Sequence, residues 1–245
     1  KTFIYGKHSV AEALISMPEI VKKIFVAQTM DDARLRTLIR DSGIQTERLD
    51  LRKVTSQVEG NAPHQGVIAQ ISVSSLGMPF DVFKKDFKPN TDTMLVLMGE
   101  VTDPHNVGAI VRSAAAFGAA AVLAPQKKQA HLTPAAIRAS AGMAFRVPFV
   151  ILENTQQAIS ELKEKGMKVH GLSGDGKKPV TAEKFDAPTI LVLGNEGEGI
   201  PGYAKAVCDQ FLSIPMHPDC ESLNVASAAA VAMYAWSAHH PNALR

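Results

Sequence analysis

Ile190-Leu191-Val192-Leu193-Gly194-Asn195-Glu196-Gly197-Glu198-Gly199 joins four apolar residues to a polar, glycine-rich loop. This junction decides the architecture, because open α/β sheets build a ligand crevice at their carboxyl edge from short apolar runs that end in such loops. Two further segments repeat the design. Asp103-Pro104-His105-Asn106-Val107-Gly108-Ala109-Ile110-Val111-Arg112 follows the apolar run 94–98. Ile214-Pro215-Met216 leads to Glu221-Ser222-Leu223-Asn224-Val225-Ala226. Three loops of this kind in one half of the chain predict one composite site.

Around them the pattern alternates. Residues 94–98, 120–124, 168–172, 189–193 and 210–214 read as strands. Residues 107–117 and 155–165 read as helices closed by Gly118 and Gly166, since glycine is favoured just past a helix end. A long apolar helix over 223–236 ends the series. The alternation predicts an α/β fold, a mostly parallel sheet with helices on both faces.

The first part of the chain reads as a smaller α/β unit. It has a helix near 10–15, a strand at 23–27, a charged amphipathic helix over 32–40, continued alternation at Leu49, Val54 and Val58, and a last strand over 66–71. Periodicity then lapses. Gly77-Met78-Pro79, Lys84-Lys85 and Lys88-Pro89-Asn90 read as a linker. The expected division is 1–72 as one domain, 73–92 as linker and 93–245 as the larger domain.

Composition narrows the class. With 46% hydrophobic and 20% charged residues over 245 positions, the chain can bury a sizeable core and does not read as disordered. A formal net charge of +2 permits a local basic face for nucleic acid without announcing one. Cys208 and Cys220 lack CxxC spacing, so reduced thiols are expected rather than a disulfide or a metal site. No apolar run is long enough to span a bilayer and no signal-peptide pattern opens the chain, so a cytoplasmic protein with no membrane partner is expected.

Taken together, the three segments resemble the SpoU (TrmH) family of RNA ribose 2′-O-methyltransferases, in the SPOUT class. The matching residues are Asn106, Gly108 and Arg112, then 194–199, then Ile214-Pro215-Met216 with Ser222-Leu223-Asn224. The resemblance implies S-adenosylmethionine as cofactor, a deep trefoil knot threaded by roughly 194–236, and a homodimer built on the larger domain. It implies Gly194, Asn195, Glu196, Gly199, Ile214, Pro215, Met216 and Leu223 at the cofactor. Asn106, Arg112, Glu196, Ser222 and Asn224 are implied in catalysis. The opening 4–14 and the stretch 64–69 look like the substrate-binding extension, related to the L7Ae/L30 fold, of many such enzymes. Among them the likeness is greatest to the group acting on a guanosine of large-subunit ribosomal RNA. A transfer-RNA substrate, or an RNA-binding protein without turnover, are the alternatives. His217-Pro218-Asp219-Cys220 stands where the family usually has a glycine-containing turn, and Ala226 where serine is frequent.

The residues carry their own chemistry beside the resemblance. A phosphate cradle offers amides and a lysine, whereas the 194–199 loop offers Glu196 and Glu198, which suits a cationic or neutral ligand. The same glycines also serve any tight turn. Asn106 suits a helix N-cap as well as a substrate contact, and Ser222 and Asn224 likewise. Arg112 offers a planar fork to an RNA phosphate, or pairs with an acid at the helix edge. Whether it abstracts the ribose proton, as the family mechanism has it, or only anchors phosphate stays open, because its intrinsic pKa is very high. Basic residues of the first part, among them Arg36, Arg40, Arg48 and Arg52-Lys53, are interspersed with acids.

Overall fold

The computed structural model describes residues 2–50, 64–73, 76–195 and 197–244. Val54, Val58, Arg52, Lys53 and the candidate Glu196 lie outside the described residues. The chain forms two sheets. The smaller has strand order β1-β4-β2-β3 and comprises β1 (Thr2–Tyr5), β2 (Val21–Val26), β3 (Thr46–Arg48) and β4 (Val67–Ile71). β4 runs antiparallel to β1 and β2, while β2 and β3 are parallel. Helices α1 (Lys7–Ser16) and α2 (Ala33–Asp41) accompany it. α2 starts where the sequence says it should, since the Asp32 carboxylate accepts from the Leu35 amide at 2.9 Å, and Leu35 and Ile39 bury one helical face.

The larger sheet has eight strands, every neighbouring pair parallel. Its order is β10-β12-β9-β11-β6-β7-β8-β5. The strands are β5 (Gly77–Pro79), β6 (Met94–Met98), β7 (Ala121–Pro125), β8 (Phe149–Leu152), β9 (Lys168–Leu172), β10 (Lys178–Pro179), β11 (Thr189–Leu193) and β12 (Gln210–Ser213). Helices α3 (Phe80–Asp86), α4 (Pro104–Ala116), α5 (Pro134–Ala139), α6 (Thr155–Glu164), α7 (Gly202–Lys205) and α8 (Val225–Ser237) cover it. Successive residues of a strand face opposite sides. Accordingly Met94, Val96 and Met98 join the apolar cluster under α4, α5 and α8, and Leu95 and Leu97 the cluster under α6. A strand buried on both faces must be apolar throughout, which is why β6, β7 and β11 were legible.

Two expectations need correction. The stretch 73–92 is not a bare linker, because β5 pairs in register with β8 (Gly77 with Phe149, Met78 with Val150, Pro79 with Ile151) and Phe80 of α3 is buried. Lys84 of α3 bonds Asp81 at 2.7 Å and Glu161 of α6 at 2.8 Å, tying the segment down. A three-residue strand and a seven-residue helix are too short to show a period. The other correction concerns α4. It begins at Pro104, capped by the Asp103 carboxylate on the His105 amide at 2.8 Å, so Asn106 lies inside the first turn and is not the cap. β8 and α5, in a region where the sequence suggested no element, complete this half of the sheet.

The two units share a core. Ile4 and Val10 belong to the same apolar cluster as Ala136 and Phe145. Around it the Glu12 carboxylate takes Arg146 at 2.5 and 3.1 Å, and the Tyr5 hydroxyl accepts from Arg138 at 2.5 Å. The smaller unit is therefore docked on α5 and the turn after it.

Gly108 makes the α4–α5 contact possible. A Cβ there would lie 2.3 Å from the Ala136 carbonyl oxygen and 2.5 Å from the Ala139 Cβ. Gly108→Ala must push two helices apart, and overpacking of this kind costs roughly 1–3 kcal/mol or more. At about 2–4 °C per kcal/mol for a chain of this length, the melting temperature should fall by several degrees or more; an unchanged melting curve contradicts the packing described.

Candidate active site

The chain steps from β6 outward through β7 to β8, then crosses to β9 on the far side of β11. The reversal lies between β6 and β11, and ligands of open α/β sheets bind outside the carboxyl ends at such a switch point. All three segments gather there. The Gly99 amide, just past β6, donates to the Leu193 carbonyl at the end of β11 at 2.9 Å. The loop after β11 then folds back on itself: the Asn195 amide donates to Gly199 O at 2.8 Å, and the Gly199 amide to Asn195 O at 3.1 Å. A Cβ at Gly194 would stand 2.4 Å from the Gly199 carbonyl carbon and 2.6 Å from the Ile200 nitrogen. Only glycine allows that crossing.

Asn195 holds the loop in shape. Its Oδ1 accepts from the amides of Gly197 at 2.7 Å and Glu198 at 3.3 Å, and its Nδ2 donates to the Glu100 carbonyl at 3.0 Å. Its side chain thus joins the loop after β11 to the loop after β6. Gln129 pins that second loop from the other side. Buried after β7, it accepts from the Val101 amide at 2.9 Å and donates to the Val101 carbonyl at 2.6 Å. Nothing in the sequence singled Gln129 out, because a lone glutamine after a strand carries no pattern.

The first and third segments meet directly. Asn224 Nδ2 donates to Asn106 Oδ1 at 3.0 Å, across 118 positions of sequence. Asn224 is also the N-cap of α8, with its Oδ1 accepting from the amides of Ala226 at 2.9 Å and Ser227 at 3.2 Å. Of the two residues that suited capping, Asn224 is the cap, and Ser222 is exposed. Arg112 lies two turns along α4 from His105, on the solvent side, and forms no ion pair among the described residues. Ile214 is half-buried at the end of β12, while Pro215, Met216 and Leu223 are exposed. The geometry thus joins Asn106, Asn224, Asn195, Gly194 and Gly199, and leaves Arg112, Ser222, Met216 and Leu223 open to solvent around them. Glu100 and Tyr203 stand at the same edge. Burial, and then the Glu100 carboxylate, push the Tyr203 phenol up to about 12. Neither residue is prominent in the sequence. Among the described residues no cluster of three His, Cys, Asp or Glu is placed to hold a metal, and no helix is long and apolar enough to cross a membrane.

The comparisons with known proteins give the family. The model of the SpoU rRNA methylase family matches residues 93–234, and that of the RNA 2′-O ribose methyltransferase substrate-binding domain matches residues 3–75. The chain belongs to the SpoU family. It is 33% identical over 237 residues to the 23S rRNA (guanosine-2′-O-)-methyltransferase RlmB of Pseudomonas syringae pv. tomato, covering 94% of this chain and 93% of that protein. To RlmB of Haemophilus influenzae it is 34% identical, covering 94% and 95%. In fold it matches the SpoU methyltransferase AviRb of Streptomyces viridochromogenes, solved with AdoMet (TM-score 0.81, 23% identity, 98% of this chain and 90% of that one). The rRNA methyltransferase of Sinorhizobium meliloti matches at TM-score 0.78 and 21% identity over 97% and 87%.

Asn224 has two separable roles, and one substitution divides them. Asn224→Asp keeps an acceptor for the two amides, so α8 should lose no more than a few tenths of a kcal/mol, as aspartate and asparagine cap alike. It removes the donor to Asn106 and sets a carboxylate against that oxygen. The expected result is a nearly unchanged melting temperature with methyl transfer reduced at least tenfold. Full activity in Asn224→Asp would make the bond to Asn106 incidental.

Proposed function

We propose that this chain transfers a methyl group from S-adenosylmethionine to the ribose 2′-hydroxyl of a guanosine in 23S ribosomal RNA, working in the cytoplasm as a homodimer. One observation carries the placement of the site. The Asn106–Asn224 bond fastens the first motif to the third at the carboxyl ends of β6 and β11, beside the folded-back Gly194 loop. A protein that only binds RNA needs no such assembly on its cofactor side.

The loop fits the cofactor. The described part of it carries Glu198 and no lysine, and its backbone is fixed by the Asn195–Gly199 bonds. Half-buried Ile214 and exposed Met216 and Leu223 supply apolar surface on the third segment. A sulfonium and an amine suit that environment better than a triphosphate does. When bound, S-adenosylmethionine supplies an electrophilic methyl group. Gly194, Asn195, Gly199, Ile214, Pro215, Met216 and Leu223 are the residues we assign to holding it, with Glu196 from the sequence motif.

Orientation of the ribose is assigned to Asn106, Ser222 and Asn224, the first and last already fixed by their mutual bond. Arg112 is exposed and carries a fork that grips phosphate oxygens bidentately. A guanidinium is not deprotonated in proteins, so its assigned role is to fix an RNA phosphate near the reacting hydroxyl. Residues 1–72 are assigned to binding RNA and 93–245 to the methyltransferase domain, with β5 and α3 of the segment between them built into the larger sheet. The threading of 194–236 that the family implies is supported by the path of the chain. From β12, outside β9, it returns past β11 to pack α8 on α4.

Pairing is supported by the open side of α8. Val231 and Tyr234 are 40% and 62% exposed and stand one turn apart on α8, with exposed Leu223 (41%) just ahead of the helix, while Ala229, Ala232, Met233 and Trp236 are buried. A two-fold partner laid on this stripe is the commonest way to cover one. Light scattering of the full chain should give a dimer that Val231→Glu with Tyr234→Glu converts to monomer; a monomeric wild type at micromolar concentration rules the pairing out.

Arg112→Ala separates chemistry from cofactor binding. Methyl transfer to ribosomal RNA should fall by two orders of magnitude or more, while calorimetry gives an S-adenosylmethionine affinity within about twofold of the parent. Loss of cofactor binding in this variant would place the arginine on the wrong ligand.

A further inference from the structure

A cleft of about 270 Å³ opens beside the Gly194 loop, across the carboxyl ends of β6, β7 and β8, and none of the three motifs lines it. Its wall carries Glu100 after β6, Lys127 and Lys128 after β7, Glu153 and Asn154 after β8, and Tyr203 of α7. Clefts for drug-sized ligands run from roughly 300 to 1,000 Å³, so this one suits a single ring system. It communicates with the cofactor loop through the Glu100 carbonyl, which accepts from Asn195 Nδ2 at 3.0 Å.

The cleft is built at some cost. Glu100 and Lys128 have φ of 63° and 56°, a left-handed conformation that non-glycine residues seldom adopt and that concentrates at functional sites. The Tyr203 hydroxyl is buried and faces Glu100 without a well-formed hydrogen bond. A donor or acceptor on an occupant of the cleft would satisfy this hydroxyl.

Charge then selects the occupant. Carboxylates on the wall repel a bare phosphate, and lysines repel a bare cation. A nucleotide presents both characters, phosphate for the exposed Lys127 and Lys128 and base N–H groups for the carboxylates. An ionised carboxylate only accepts, through two parallel oxygens. Guanine sets N1–H and an N2–H side by side on its Watson–Crick edge. Adenine, cytosine and uracil each place their donor beside an acceptor, which would face a carboxylate oxygen lone pair to lone pair. Proteins read unstacked RNA bases along this edge.

We propose that this cleft is a guanine-binding subsite for the RNA and that Glu100 selects the base. Glu100 rather than Glu153 is assigned because Glu153 is an exposed rim residue, whereas Glu100 is half-buried, faces the Tyr203 hydroxyl and is joined to the cofactor loop. The source of the guanine rests on the methyltransferase reading above; the selectivity is a property of the cleft and is measured by binding alone.

The test is the affinity of the full chain for the trinucleotides UGU, UIU and UAU, read by NMR titration at saturating S-adenosylmethionine. Inosine lacks only the 2-amino group of guanine. UGU should bind at least about tenfold tighter than the other two, the lower range for one good bidentate contact. Glu100→Gln replaces one acceptor by a donor at constant length and should reduce that preference below twofold. Lys127→Ala with Lys128→Ala should weaken all three alike. A wild type without guanine preference, or a preference that Glu100→Gln retains, overturns the proposal. Calorimetry with S-adenosylmethionine on the same samples separates the two claims. Absent cofactor binding with intact guanine preference counts against the methyltransferase reading, and the converse against the subsite alone.

Discussion

The pairing of β6 with β11 is the constraint on which the rest of the molecule depends. Five consecutive residues, Met94 to Met98, align in parallel with Thr189 to Leu193, so the two strands end level. A parallel pair needs a long crossover. Here the crossover is most of the domain, and its closure sets Gly99 and Gly194 side by side. A slip of one residue would turn every side chain of β11 to the opposite face. It would also break the Gly99–Leu193 bond that begins the site. Because both strands are fully buried on both faces, that register is enforced by the whole core, and the loops inherit their accuracy from it.

Steric clearance does the remaining positioning. Gly108 brings α5 within backbone contact of α4, and Gly194 lets the loop after β11 cross itself. At both positions the missing Cβ makes room for protein backbone. The polar residues around them divide similarly. Asn195 and Gln129 shape loops, whereas Asn106 and Asn224 meet at the surface with part of their capacity spent on each other. The site is thus a rigid edge with an exposed rim, the arrangement expected where a large, structured substrate must reach a small cofactor.

What could be read from the sequence follows from length and burial. β6 and β11 are runs of five buried residues, and α6 and α8 are ten and thirteen residues long, enough to display their periods. β5, α3, α5 and α7 have three to seven residues, and each owes its existence to tertiary partners: β8 for β5, Glu161 for α3, Gly108 for α5. Motif order located the site, since three loops after apolar runs must share one sheet edge. Roles within the site were less legible. The cap of α4 is Asp103 and that of α8 is Asn224, and capping residues of this kind have the same side chains that a site would use, so only the three-dimensional bonds tell the roles apart. Glu100 and Tyr203 were invisible because a cleft is assembled from residues that have no spacing in common.

The third segment behaves unlike the other two. Residues 215–224 are exposed throughout, yet they run between β12, paired in the sheet, and the Asn224 cap, bonded to Asn106. Apart from a turn in which the Cys220 amide donates to the His217 carbonyl at 2.9 Å, the segment is tied to the rest at its ends, and each residue that a ligand or a partner orders costs about 1–2 kcal/mol of backbone entropy. On the proposed reading Met216 and Leu223 face the cofactor, while Leu223 also begins the apolar stripe that a second copy covers. Whichever binds first orders part of the segment for the other. Coupling of that kind is reciprocal by thermodynamic necessity, so cofactor occupancy and pairing must change each other's affinity by the same factor. The exposed rim, which looks unfinished in a single chain, is then the element through which the two binding events communicate.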